Sequence, residues 1–324
     1  MEGTKVKLIL VLFIIYLILL MWLFDFLKYH QNIDKQKNPV PPITVIINNI
    51  NNINILYSTL DGIKTDHSFD QIDLILFDNT NNDLESIINP YSQSFRKINI
   101  YKMNQCDYDD IDINSINTEY ILIINSGMII AKKFIEKSFQ YINKFNISIM
   151  FAPIYKLSNN NKNLFSQLFG SFKQAIKCSL INKNLYAIKK YDNNGIIIKK
   201  DSFNKLLHGK KKYYDHQKYI VDTDLCINDI NLNSKNNLNY FYKIYIGINL
   251  LYFFVITLFL STPNYYYLAI IIIKVIPELY YIYSYHNKLK IKFPKIEFII
   301  YSIFLPIYMI IELFSKRILN IKSK

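Results

Sequence analysis

Residues 8–27 read LILVLFIIYLILLMWLFDFL, with Asp25 as their single charge. Roughly 20 apolar residues suffice to cross a bilayer as a helix. A cleavable signal peptide has a shorter apolar core and a small-residue cleavage site, and this run has neither feature. It therefore reads as a retained anchor.

The chain becomes apolar again near its other end. Tyr245 to Leu260 is uncharged. After Ser261-Thr262-Pro263-Asn264 comes a run from Tyr265 to Tyr283 that contains Lys274, Pro277 and Glu278. Lys274 and Glu278 are spaced i,i+4, so they share one helix face and can pair there. The tyrosines at the ends of this run suit an interfacial belt. A fourth run, Ile296 to Phe314, has Pro306 at its middle and Glu312 near its end. A proline there predicts a kink or a helix lying in the interface.

Lysine placement suggests an orientation. Lys288, Lys290, Lys292 and Lys295 crowd one short loop, which the positive-inside rule puts in the cytoplasm. Counting back over two spans puts residues 28–242 on the same side. The basic tail (Lys316, Arg317, Lys322, Lys324) agrees only if the fourth run does not cross. The expectation is an integral membrane protein with three spans, a doubtful fourth run and a cytoplasmic soluble block. Its segments are an anchor (1–28), a linker (29–40), a soluble domain (41–242), carboxyl-terminal transmembrane or interfacial helices (243–315) and a basic tail (316–324).

The net charge of +13 does not require nucleic acid as a partner. Lysines beside spans and facing anionic lipid account for much of it, and no recognition module for nucleic acid is present. Cys106, Cys178 and Cys226 lie far apart. They match no zinc-ligand spacing and cannot all pair, so a reducing compartment fits. The five histidines form no metal pair, and no P-loop, Rossmann fingerprint or G-x-S-x-G occurs. The acidic run Asp107 to Asp112 lacks the glycine and terminal glutamate of a calcium loop and reads as a solvated loop.

The soluble block alternates strand and helix patterns. Strands are expected at 43–47, 72–77, 97–103, 120–124 and 147–152, and helices at 55–63, 84–91 and 131–145. That alternation implies an α/β domain built on a parallel-type sheet. Ligands of such sheets sit beyond the carboxyl ends of the strands. The polar loops at 48–54, 78–83 and 125–127 all fall there.

Five segments carry a resemblance. Residues 42–52 read PITVIINNINN, 77–81 FDNTN, 118–127 TEYILIINSG, 194–203 NGIIIKKDSF and 221–225 VDTDL. In order and spacing they resemble the motifs of the family 2 glycosyltransferases of GT-A fold, whose membrane-bound members pair one amino-terminal span with several carboxyl-terminal ones. The resemblance implies a GT-A-like (Rossmann-like) mixed-sheet domain and a membrane-bound, inverting transferase of hexosyl type. Its partners would be a nucleotide-sugar donor, a lipid or glycan acceptor and the bilayer. Asp78 would accept a hydrogen bond from the nucleobase, and Asn51 and Asn52 would border the same pocket. Asn125, Gly127, Asn194 and Gly195 would complete the donor site, and Asp222 would be the general base, with Asp224 a weaker candidate.

Two departures from the family pattern bear on chemistry. The D-x-D triplet that ligates a divalent cation reads Asn125-Ser126-Gly127. The Q-x-x-R-W segment is absent. No cofactor is therefore certain, and Mn²⁺ or Mg²⁺ is expected only weakly. Lys199, Lys200 or the run Lys210-Lys211-Lys212 would then offset phosphate charge, unless the last is a solvated or lipid-facing loop. A catalytically impaired protein of the same fold, acting in nucleotide binding or assembly, is the alternative. A small-molecule transporter, suggested by Lys274 and Glu278, is disfavoured by the few spans and the large soluble block.

Overall fold

The computed structural model describes residues 2–24, 40–65, 71–80, 84–102, 113–156, 164–183, 195–208, 217–220, 225–229 and 240–290, with scattered positions from 293 to 304. In chain order the elements are α1 (Glu2–Phe24), β1 (Ile43–Ile50), α2 (Ile53–Lys64), β2 (Ile72–Asp78), α3 (Leu84–Ile88), β3 (Lys97–Lys102), β4 (Tyr120–Asn125), β5 (Met128–Ile130) and α4 (Phe134–Phe145). They continue with β6 (Ile149–Phe151), β7 (Ile154–Lys156), α5 (Leu164–Asn182), β8 (Ile196–Lys199), α6 (Lys200–His208), β9 (Gln217–Tyr219), β10 (Ile227–Asp229), α7 (Tyr240–Ser261) and α8 (Tyr265–Lys288). The chain forms two compact units. One comprises Tyr29–Asn159 with Lys177–Asn236, and the other Met1–Lys28 with Asn160–Ile176 and Asn237–Lys324.

The first unit is built on a seven-stranded sheet in the order β3-β2-β1-β4-β8-β6-β9. β3, β2, β1 and β4 run parallel. β8 runs antiparallel to both of its neighbours, and β9 is parallel to β6. The sheet is thus mixed. Runs of isoleucine and leucine form strands because branched side chains fit a pleated surface. β2 and β4 are buried at every position, as expected for strands covered on both faces. α2 contributes Leu56, Leu60 and Ile63, and α4 contributes Phe134, Phe139 and Ile142, to one core with Ile43, Val45 and Ile47 of β1. A second sheet of three short strands has the order β5-β10-β7.

The expected strands and helices of the first 150 residues are present with shifted ends. The expected helix at 84–91 stops at Ile88 and passes into a 3-10 turn, Asn89–Ser94, with Pro90 at its start. Proline restricts the residue before it away from helical geometry. α4 begins at Phe134 rather than 131 because Lys133 is left-handed, with φ of 66°. The antiparallel β8 and the three-stranded sheet were not anticipated. Their strands are only three or four residues long, too short to carry a periodic signal.

The second unit is helical and inverted in character. Every exposed large apolar side chain among the described residues lies in it, including Leu12, Ile15, Ile18, Trp22, Phe254 and Ile276. Phe13, Tyr252, Val255 and Ile270 form its apolar core. Two of its charges point inward. Lys274 and Glu278 of α8 are 0 % and 1 % exposed and pair at 2.8 Å. The Lys274 ammonium also lies 4.5 Å from the centroid of the Tyr252 ring of α7. The Tyr16 hydroxyl of α1 donates to the other oxygen of Glu278. One ion pair therefore joins α1, α7 and α8. α5 is tied to α8 by a hydrogen bond from the Tyr281 hydroxyl to the Ala175 carbonyl, at 2.8 Å. Among the described residues only α8 is long and apolar enough to cross a membrane; Ile9–Trp22 of α1 and Gly247–Ser261 of α7 are shorter apolar stretches. Most of the fourth run, Ile296 to Phe314, lies outside the described residues.

Removing one partner of a buried ion pair leaves the other charge uncompensated, at about 3–5 kcal/mol. Lys274→Met alone should therefore lower thermal stability sharply in detergent. The double variant Lys274→Met/Glu278→Leu should recover most of the loss, which a melting series of the two proteins checks.

Candidate functional site

The chain leaves β1 to build β2 and β3 on one side and then returns to place β4 on the other. The gap between the carboxyl ends of β1 and β4 is therefore a topological switch point, the usual ligand crevice of such sheets. Register sets the polar residues at that edge. Asn48 pairs with Asn125 across β1 and β4. Ile50 pairs with Asp78 across β1 and β2, after a slip in register between Ile47 and Ile50. The slip is accommodated by Asn49, left-handed at φ of 55°, a conformation that asparagine tolerates better than most residues.

A hydrogen-bond frame holds this edge. Asn49 Nδ2 donates to Asn125 Oδ1 at 3.2 Å, and Ser126 N–H donates to the Asn48 carbonyl at 2.8 Å. Gly127 has φ of 94°, a left-handed value that suits glycine, and its N–H donates to Thr59 Oγ1 of α2 at 2.8 Å. Asp78 is 2 % exposed. Its Oδ1 accepts both the Thr80 amide and the Thr80 hydroxyl at 2.7 Å.

Four buried polar atoms without a partner among the described residues belong to strand ends at this edge. They are both amide atoms of Asn48, Oδ2 of Asp78 and Oγ of Ser126, on residues 4 %, 2 % and 1 % exposed. A buried polar group left unpaired costs about 1–3 kcal/mol. Buried polar atoms left unpaired at the carboxyl ends of these strands have a strong physical preference for a hydrogen-bonding partner. They comprise amide and hydroxyl donors at the ends of β1 and β4 and a carboxylate acceptor at the end of β2.

The site residues expected from sequence fall into three groups. Asp78, Asn125, Gly127 and Gly195 come together at this sheet end. Gly195, at φ of 69°, opens β8 and donates its N–H to the Ile123 carbonyl at 2.8 Å. An added Cβ there would meet Ile154 at 3.1 Å, so its observed work is backbone packing. Asn51 and Asn52 are exposed on the loop between β1 and α2. Asn52 caps α2, its side chain accepting the Asn54 N–H at 2.9 Å. Asn194, Asp222 and Asp224 lie outside the described residues, as do Lys210, Lys211 and Lys212. Sequence reading missed Asn48 and Ser126. Asn48 ends an apolar run, which is a usable signal, but the surrounding abundance of asparagine hid it.

Lys199 and Lys200 are not phosphate ligands here. Lys199 pairs in register with Tyr120, the first residue of β4, and its ammonium lies 3.8 Å from Glu119. Lys200 donates to the Ile116 carbonyl. Both sit at the amino end of β4, roughly 17 Å along the strand from Asn125. The residues at the D-x-D position do not fit a divalent cation either. Asn125 Oδ1 is engaged by Asn49, and Gly127 has no side chain, whereas hard cations prefer carboxylate oxygens. No group of three His, Cys, Asp or Glu side chains able to hold a metal occurs among the described residues. Burial pushes the Cys226 thiol up to about 12, so it offers no thiolate at neutral pH.

No protein-family model matches this sequence, and no curated protein matches it significantly. Solved structures do. A mannosyltransferase from Pyrobaculum calidifontis, in complex with GDP-Man and Mn²⁺, aligns with a TM-score of 0.50 at 9 % identity, covering 98 % of this chain and 95 % of that one. The likeness is one of fold. S. aureus TarS in complex with UDP-GlcNAc aligns at 8 % identity and a TM-score of 0.42, over 80 % of this chain and 79 % of that one. The fold of this chain is therefore similar to that of the Pyrobaculum mannosyltransferase.

The Gly127 N–H has Thr59 as its acceptor, so Thr59→Val should cost about 1–3 kcal/mol by orphaning a buried donor. Thr59→Ser should restore most of that loss in urea denaturation of the same protein.

Proposed function

We propose that this chain is a membrane-embedded, inverting glycosyltransferase that binds a nucleotide-sugar donor at the β1–β4 switch point. The observation that carries the reading is the set of buried, unpaired polar atoms of Asn48, Asp78 and Ser126 at the carboxyl ends of β1, β2 and β4. The glycosyltransferase fold of the Pyrobaculum neighbour supports it. Asp78 Oδ2 accepts the imide or amide N–H of the nucleobase, because an ionised carboxylate is acceptor-only. Asn51, Asn52, Asn125 and Asn194 border the donor, while Gly127 and Gly195 let the backbone turn beside it.

Asp222 acts as general base in this reading, on the strength of the VDTDL motif. It takes the proton of the acceptor hydroxyl as that oxygen bonds to the anomeric carbon. The bond from that carbon to the diphosphate oxygen breaks, and the nucleoside diphosphate leaves with inversion. The acceptor is a lipid or a lipid-held glycan. Supporting this are the exposed apolar surface of the helical unit and its enclosed Lys274–Glu278 pair, which suit hydrocarbon surroundings. α8 crosses the bilayer, α1 and α7 flank it, and the sheet unit faces the cytoplasm, where lysines follow α8.

A second reading has its own observation. Asn125 and Gly127 replace the acidic pair, which favours a protein that binds nucleotide without turnover. Nucleoside diphosphate release from UDP- and GDP-sugars, assayed with membrane lipid extract, separates the two. Under the first reading, Asp222→Asn lowers release by about 10²–10⁴-fold and leaves nucleotide binding intact. Asp78→Ala weakens nucleotide binding by about 1.5–3 kcal/mol. Binding without release selects the second reading, and loss of neither property in the variants removes both.

A further inference from the structure

We infer that the donor site works without a divalent cation and meets the diphosphate with neutral hydrogen-bond donors centred on Asn48 and Ser126. This rests on the donor-site reading above and deepens it. Three observations lead to it. The D-x-D position supplies no carboxylate: Asn125 Oδ1 is already bound by Asn49 Nδ2, and Gly127 carries no side chain. Gly127 also sits at φ of 94°, so a carboxylate-bearing residue there would be strained. Lys199 and Lys200, which follow Gly195 in sequence, are held at the amino end of β4, away from this edge.

Ser126 of the triplet and Asn48 of β1, the register partner of Asn125, instead supply a pair of donors. Asn48 Nδ2 and Ser126 Oγ are buried and have no partner among the described residues. They are held as a unit, because the Ser126 N–H donates to the Asn48 carbonyl at 2.8 Å. The Asn125 amide beside them is fixed by Asn49. Hydrogen bonds to a charged acceptor are stronger than those between neutral groups, and burial strengthens them further. An amide and a hydroxyl recognise phosphate oxygens without adding charge. A metal site with the same ligands would give weak hard-cation binding.

The test uses the full chain in detergent, with UDP and GDP as probes in isothermal calorimetry, in excess EDTA and again in excess Mn²⁺. The expected result is binding in EDTA, with a Kd within about twofold of that in Mn²⁺. Mn²⁺ alone should show no site on the protein by electron paramagnetic resonance. Asn48→Leu and Ser126→Ala, checked for folding by circular dichroism, should each weaken binding in EDTA by tenfold or more. Asn125→Asp should bind more weakly in EDTA and recover with Mn²⁺, because it restores an acidic ligand. Nucleotide binding that vanishes in EDTA and returns with Mn²⁺ in the unaltered protein overturns the inference but leaves the donor site standing. Unchanged affinity in both Asn48→Leu and Ser126→Ala overturns the role of the neutral donors. Absence of nucleotide binding in either condition overturns the inference and the donor-site reading together.

Discussion

The parallel pairing of β1 with both β2 and β4 is the constraint on which the sheet unit depends. It satisfies the backbone of this interior strand on both sides. It also forces the carboxyl ends of three strands to one edge. That edge brings Asn48, Asp78 and Asn125 together from positions up to 77 residues apart in the chain. Strands that are buried and apolar leave their polar residues only at their ends, so chemistry concentrates where the ladder stops. The slip at Asn49 and the glycine turn at 127 then decide which atoms are tied up by the frame and which are left for a ligand.

In the helical unit the sign of the usual rule is reversed. Lys274 and Glu278 are enclosed, while isoleucines, leucines and a tryptophan cover the outside. In water such an arrangement exposes a large apolar surface at high cost. In hydrocarbon the same arrangement is favourable, because the enclosed ammonium and carboxylate neutralise each other. The ion pair is also a three-way joint. Tyr16 and Tyr252 meet it from α1 and α7, so the first helix is integrated into the unit rather than appended to it.

Much of this was legible beforehand. Long isoleucine runs announced β1, β2 and β4, and the spacing of Lys274 and Glu278 announced their pairing. Asp78 and Asn125 stood out as polar residues closing apolar strands. Other features were not legible. Asn48 was masked by a composition in which asparagine is everywhere. The strands β5, β7, β8 and β10 were too short for periodicity. Lys199 and Lys200 looked available for phosphate because sequence proximity to the NG motif says nothing about which end of an antiparallel strand they occupy.

By itself the chain's sequence determined where apolar surface begins and ends, and therefore which segments become buried strands and which become apolar helices, because hydrophobic burial is a local property of residue type. Only the tertiary structure decided which polar groups face one another. Hydrogen-bond partnership depends on register across strands distant in the chain, and a single reversal of direction, as at β8, moves a side chain from one end of the sheet to the other.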